Sequence, residues 1–174
     1  MSLKRFFAIA DNTITDAFKT DGQTRATGSN TGDADVLEVF ANYGEVEEGK
    51  MELSRILIQF DIDEIKKYKD NGSIPDDAKW ILRMYNVEHG LTVPKNFRIY
   101  SHEVDFPWEE GYGVDLDTHG DDAKNFGSSW SNKKPGTDNE WATSGGDFTP
   151  HNAFQDFETG LEDLEIDVTT IIQG

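Results

Sequence analysis

The sequence predicts an all-β fold: a jelly-roll-like β-sandwich with long loops and one short helix. Three observations predict it. Short segments with a two-residue apolar alternation recur along the chain. Sixteen glycines supply turns that need positive φ. Aromatic residues make up 11% of the chain, too many for a disordered polymer even though the apolar fraction is only 36%. A chain of 174 residues suits a single domain, 1–174, because a fold of this size hides roughly 70% of its unfolded surface.

The elements follow in chain order. From Asp35, the run DVLEVFANYG sets Leu37, Val39, Ala41 and Tyr43 on one face and Glu38 and Asn42 on the other, which predicts a strand. In SRILIQFDI (54–62), Ile56, Ile58, Phe60 and Ile62 point one way and Arg55, Gln59 and Asp61 the other, and the β-branched content favours a strand again. The stretch DIDEIKKYKDNG (61–72) predicts the helix, with Asp63 as cap, Ile65 and Tyr68 facing inward, and Gly72 as terminator. AKWILRMYNV (78–87) is mostly apolar and reads as a central strand covered on both faces. A further strand is expected around Phe97 and Ile99, and another where Leu164, Ile166 and Val168 alternate with Glu165, Asp167 and Thr169. Between Gly111 and Gly160 the periodicity fades. Structureless loops longer than about 12–15 residues are uncommon, so Trp130, Trp141, Phe148, Phe154 and Phe157 predict an ordered loop layer pinned by aromatic rings.

Charge excludes some partners. The formal net charge is −18, from 34 acidic and 16 basic residues. Such a field repels phosphate backbones and anionic headgroups, so neither nucleic acid nor a membrane surface is expected as a partner. Solubility is the plain reading of the acidity; cation binding or docking onto a basic partner are the alternatives. The chain has no cysteine, which removes disulfides, thiolate nucleophiles and cysteine-type zinc sites. The apolar run Phe6–Ala10 is shorter than the 7–15 residues of a secretory signal, so no signal peptide is expected, and no run approaches the ~18 apolar residues of a membrane span.

No catalytic constellation is legible. His89, His102, His119 and His151 form no HExxH or HxH pair and lie near no GxSxG elbow. Glycoside hydrolysis needs two converging carboxylates, but with 34 acids any pairing in sequence is uninformative. Asp115, Asp117, Asp121 and Asp122 crowd one loop and Asp33 with Asp35 another. Ca²⁺ takes six to eight oxygens from such loops, yet the spacing departs from DxDxDG, so no metal site is assigned and a structural Ca²⁺ stays an open alternative. Tyr112, Trp130 and Trp141, with Trp108 beside them, are candidates for stacking on sugar rings. The preferred reading is that each anchors a long loop by burying its ring. Asn71-Gly72-Ser73 matches the N-glycosylation pattern but reads as a turn.

Several stretches together resemble a known family. They are SRILIQFDI (54–62), IPDDAKWILRMYNVEHG (74–90), WEEGYGVDLD (108–117), GSSW (127–130), EWATSGGDF (140–148) and DLEIDVTTII (163–172). Their order is similar to that in disaggregatase-related (DNRLRE-type), carbohydrate-binding-module-like jelly rolls. The start, DNTITDAFKTDGQTRATGSNTGDADVLEV (11–39), resembles the version found in virion structural proteins of tailed phages, marine and cyanobacterial ones especially. The resemblance implies a β-sandwich with no transferable catalytic residues, no cofactor and a place in the virion. Its partners would be other virion subunits, further copies of itself or a host glycan. The absent signal favours the phage version. The expectation is therefore a non-catalytic virion structural protein, at a capsid-decorating, neck or tail/fibre position; the alternative is a glycan-binding module for host surface polysaccharide. The pattern departs at the end: the family continues past its DVT segment with a Trp–Gly stretch and further strands, whereas this sequence stops at Gly174. Either this is the ordered part of a longer chain, which is preferred, or a neighbouring subunit supplies the missing strands.

Overall fold

A computed structural model describes residues 3–43, 50–88, 93–117, 127–136 and 138–173. The fold is all-β and its strand pairs are antiparallel. The chain divides into two compact units, each assembled from two separate stretches: Met1–Ile65 with Phe106–Asp147, and Lys66–Asp105 with Phe148–Gly174.

The first unit holds β1 (Ala8–Thr15), β2 (Ala41–Tyr43) and β3 (Met51–Phe60), in the order β1-β3-β2. β3 is central because it has a partner on each edge. Its burial does not alternate. Leu57 is buried while Ile56 and Ile58 are only half-buried, and Ser54, on the opposite face from Leu57, is buried too. This corrects the single apolar face expected from Ile56, Ile58 and Phe60: a central strand is covered on parts of both faces. β1 has a different signature, with Asn12, Thr13, Ile14 and Thr15 all buried in succession.

The strand expected over 35–44 is reduced to Ala41–Tyr43, whose residues are all exposed. Ahead of it, side chains take over the backbone bonding. Thr13 Oγ1 accepts from the Glu38 N–H at 2.9 Å, and Ser54 Oγ accepts from the Phe40 N–H at 2.7 Å while donating to the Glu38 carbonyl at 2.9 Å. Hydroxyls that satisfy the backbone in this way compete with a regular ladder.

The second unit holds two two-stranded ribbons, β4 (Ile81–Met84) with β7 (Leu164–Asp167), and β5 (Phe97–Val104) with β6 (Phe148–Phe157). β4 is not the central strand its composition suggested. It pairs with β7, and Ile81 is 53% exposed. β7 carries Ile166, 1% exposed, on its inner face. Its outer edge is held by a side chain. Gln155 Nε2 donates to the Asp163 carbonyl and Gln155 Oε1 accepts from the Glu165 N–H, so one amide imitates a neighbouring strand.

β6 lies inside the stretch read as loop. Its pattern is broken by Pro150, which has no N–H to give a ladder. The structure accommodates it at a register shift: Ser101 pairs with Ala153 and Glu103 with Thr149, leaving Pro150, His151 and Asn152 opposite His102. The His151 N–H donates to His102 Nδ1 at 3.0 Å. Phe97 and Phe157 stack across the ribbon with centroids 4.8 Å apart.

The helix α1 spans Ile62–Asp70 and buries Ile65 as expected, but Tyr68 is only half-buried. Its cap is Asp61, not Asp63, because Asp61 Oδ1 accepts from the Glu64 N–H at 3.0 Å. Gly72 ends it at φ 72°, and the Ser73 N–H donates to Asn71 Oδ1, so Asn71-Gly72-Ser73 is a turn. A second helix, α2 (Thr169–Gln173), replaces the last residues of the expected C-terminal strand. There the N–H groups of Ile171 and Ile172 both donate to the Val168 carbonyl.

Candidate functional site

The loop layer of the first unit is built on two asparagines. Asn12 and Asn30 are fully buried, and each makes four side-chain bonds. Asn12 Nδ2 donates to the Ser128 carbonyl and hydroxyl, and its Oδ1 accepts from the Thr31 N–H and hydroxyl. Asn30 Nδ2 donates to the carbonyls of Glu110 and Ser128, and its Oδ1 accepts from the N–H groups of Gly32 and Gly113. The segments at 30–32, 110–113 and 127–129 are thereby tied to β1. The approach is so close that a Cβ on Gly32 would lie 2.2 Å from the Glu110 carbonyl oxygen.

The candidate rings separate on this scaffold. Trp108, Trp130 and Trp141 are 8%, 7% and 5% exposed, whereas Tyr112 is 61% exposed. Trp141 Nε1 donates to the Ser129 carbonyl at 2.9 Å. Trp130 has the Arg55 guanidinium 5.1 Å from its ring centre, and its indole lies against Gly145, where a Cβ would come within 2.8 Å of Cζ2. Burial pushes the Arg55 guanidinium below its ordinary pKa, against the opposing field of Asp16. Of the three candidate rings for sugar stacking, Tyr112 is the one open to solvent; Trp130 and Trp141 are buried against loop segments.

The aspartates of the loops are engaged locally. Asp115 Oδ1 accepts from the Asp117 N–H, and Asp117 Oδ1 from the Thr20 N–H. Asp33 and Asp35 are exposed. Among the described residues no group of three or more His, Asp or Glu is placed to hold a metal ion. His89, His119, Asp121 and Asp122 lie outside the described residues.

Sequence reasoning missed a second feature, on β5 and β6. Tyr100, His102 and Phe148 form a column, with centroids 5.9 and 4.9 Å apart and planes 18° and 5° from parallel. Arg98 lies 3.8 Å over the Phe154 ring centre and grips Asp156 with two bonds of 2.7 and 2.9 Å. The Arg98 hydrogen bonds hold the Asp156 carboxyl below its usual range and raise the Arg98 guanidinium in turn. A depression of about 480 Å³ lies beside the pair, lined by Phe97, Tyr100 and Glu158 among others. The column's ring faces are turned to one another, so it presents ring edges instead of a stacking platform. The missing signal was masked by Pro150, which hides the alternation that puts Phe148 and Phe154 on the ribbon.

The third feature is the exposed apolar surface. Phe7 (80%) and Ile9 (59%) stand at the start of β1, Tyr43 (76%) and Met51 (45%) at the β2 end of the sheet, and Ile81 (53%) and Tyr85 (67%) along β4. Each lies on or beside a strand at a sheet edge. No helix among the described residues is long and apolar enough to cross a membrane. The sequence matches no protein-family model, and neither a search of curated proteins nor one of solved structures finds a match.

Proposed function

We propose that this chain is a non-catalytic structural component of a tailed-phage particle, a jelly-roll-type domain that works by contact with other particle subunits. The observation that carries the contact reading is the placement of the exposed apolar side chains. Phe7, Ile9 and Tyr43 in the first unit, and Ile81 and Tyr85 in the second, lie on or beside strands that are the edges of their sheets among the described residues. Edge strands with apolar neighbours are ready to meet another chain. The resemblance of motif order to phage virion domains supplies the particle. Glycan binding is the weaker reading, because Trp130 and Trp141 are already buried as loop anchors.

Mass spectrometry of purified particles tests the proposal. The chain is expected at a stoichiometry that survives repeated density-gradient purification. Its absence from the particle, with the protein present in the infected-cell lysate, overturns the reading.

A further inference from the structure

Asn71 is the only asparagine of this chain that precedes a glycine. Asparagine is among the residues that degrade without an enzyme. The attacking group is the main-chain nitrogen of the next residue, and glycine hinders that attack least because it has no Cβ.

The turn after α1 is built for this chemistry. Asn71, Gly72 and Ser73 are all exposed. A Cβ on Gly72 would meet nothing within 4 Å, so the space beside it is open to water and hydroxide. The Asn71 carboxamide is held by its oxygen and not by its nitrogen: Oδ1 accepts from the Ser73 N–H at 2.9 Å, and Nδ2 makes no bond among the described residues. A donor thus sits on the oxygen where negative charge develops during attack on Cγ, and nothing retains the nitrogen that must leave. One bond opposes the reaction, since the Gly72 N–H donates to the Lys69 carbonyl at 3.0 Å. That bond lies at the exposed C-terminal end of α1, where the main chain opens locally at little cost. Other asparagines are better protected. Asn12, Asn30 and Asn132 are buried, and Asn86 and Asn139 each donate from Nδ2 to a main-chain carbonyl.

We infer that Asn71 is a modification site of the folded chain, which converts without an enzyme to a mixture of aspartate and isoaspartate. As the last turn of α1 opens, hydroxide takes the Gly72 amide proton. The Gly72 nitrogen bonds to Asn71 Cγ, the Cγ–Nδ2 bond breaks, and Nδ2 takes a proton from water and leaves as ammonia. The product is a five-membered imide, and the hydroxide is regenerated. Water then opens the imide at either carbonyl. Cleavage between the Gly72 nitrogen and Cγ restores the main chain with aspartate at 71. Cleavage between that nitrogen and the main-chain carbonyl carbon routes the chain through Cγ as isoaspartate. Either product places a new negative charge at the C-terminal end of α1, the end that disfavours it. The isoaspartate also inserts a methylene into the main chain between Tyr68 and Ile74. The Ile74 N–H donates to the Tyr68 carbonyl at 3.0 Å across that segment, so the isoaspartyl form loses this bond's geometry.

Peptide mapping by mass spectrometry tests the inference on the full chain, incubated in neutral and in mildly alkaline buffer. Circular dichroism confirms that the chain stays folded throughout. The peptide holding Asn71 should exchange an NH for an oxygen at least about tenfold faster than any other asparagine peptide. Two products are expected, told apart by electron-transfer fragmentation, and the rate should rise in proportion to hydroxide. Asn71→Gln, which would have to close a larger ring, should abolish the change and leave the rest of the map as it was. A parallel incubation in urea gives the rate without the fold. An Asn71 that stays an amide in the folded chain while converting in urea, another asparagine that converts first, or a rate indifferent to pH overturns the inference.

Discussion

Replacing Asn30 with alanine orphans three main-chain groups at once, that of Gly113 buried and those of Glu110 and Gly32 part-buried. The Glu110 carbonyl loses its donor, and the N–H groups of Gly32 and Gly113 lose their acceptor, at bond lengths of 2.6, 3.2 and 2.8 Å. The Ser128 carbonyl is spared because Asn12 Nδ2 still donates to it. Each orphaned group costs about 1–3 kcal/mol; with the low end for each and about 1 kcal/mol for the vacated volume, N30A costs about 4 kcal/mol. Asn12→Ala orphans the Thr31 N–H and the Ser128 hydroxyl, while the Ser128 carbonyl keeps Asn30 and the Thr31 hydroxyl keeps the Thr13 carbonyl; with about 1 kcal/mol for each and about 1 kcal/mol for the vacated volume, about 3 kcal/mol is expected. The double variant removes both donors from the Ser128 carbonyl. It should therefore be worse than the sum of the singles by about 1–2 kcal/mol. Urea unfolding followed by tryptophan fluorescence measures all three, with an excluded osmolyte to keep the double variant in range. Additivity within about 0.5 kcal/mol would refute the shared-carbonyl argument, and so would an N30A variant no less stable than N12A.

Two further outcomes follow from the structure. Gly32→Ala should cost several kcal/mol, because its Cβ would stand 2.2 Å from the Glu110 oxygen, a backbone atom that cannot swing away. Gly72→Ala faces open space and should cost only about 1 kcal/mol for its φ of +72°; thermal unfolding ranks them, and equal losses would count against the close approach. The N–H of Thr159, with that of Glu158 also donating, holds the Glu162 carboxyl down from 4.5 to about 2. Since the folded value is depressed, this group's contribution is present above pH 4.5 and lost as pH falls towards 2. A carboxyl-carbon NMR titration of Glu162 checks it, and a midpoint near the ordinary value would contradict the turn geometry.

What the sequence disclosed depended on how each segment is covered. β5 and β7 were legible because one face of each is more covered than the other: Phe97 and Ile99 are half-buried and Ile166 is buried, between exposed neighbours, so the two-residue period survives. α1 was legible from Ile65 and Gly72, although its cap was placed two residues late. β1 escaped because buried Asn12, Thr13 and Thr15 are polar, and their burial depends on partners distant in sequence such as Ser128. β6 escaped because Pro150 falls at a register shift no local pattern can foretell. The strand over 35–44 was overestimated for a related reason, since the hydroxyls of Thr13 and Ser54 that claim its backbone come from elsewhere in the chain. In the loop layer, residue type pointed to Trp108, Trp130 and Trp141 as anchors, but nothing local distinguished exposed Tyr112 from them.

The claim that this chain acts by contact is tested most directly by an electron-microscopy map of the purified particle. The account predicts density for this chain on the particle, with exposed edge side chains such as Phe7, Tyr43 and Ile81 covered by neighbouring subunits. A map that accounts for every subunit without this chain, or that leaves those side chains bare to solvent, would contradict it.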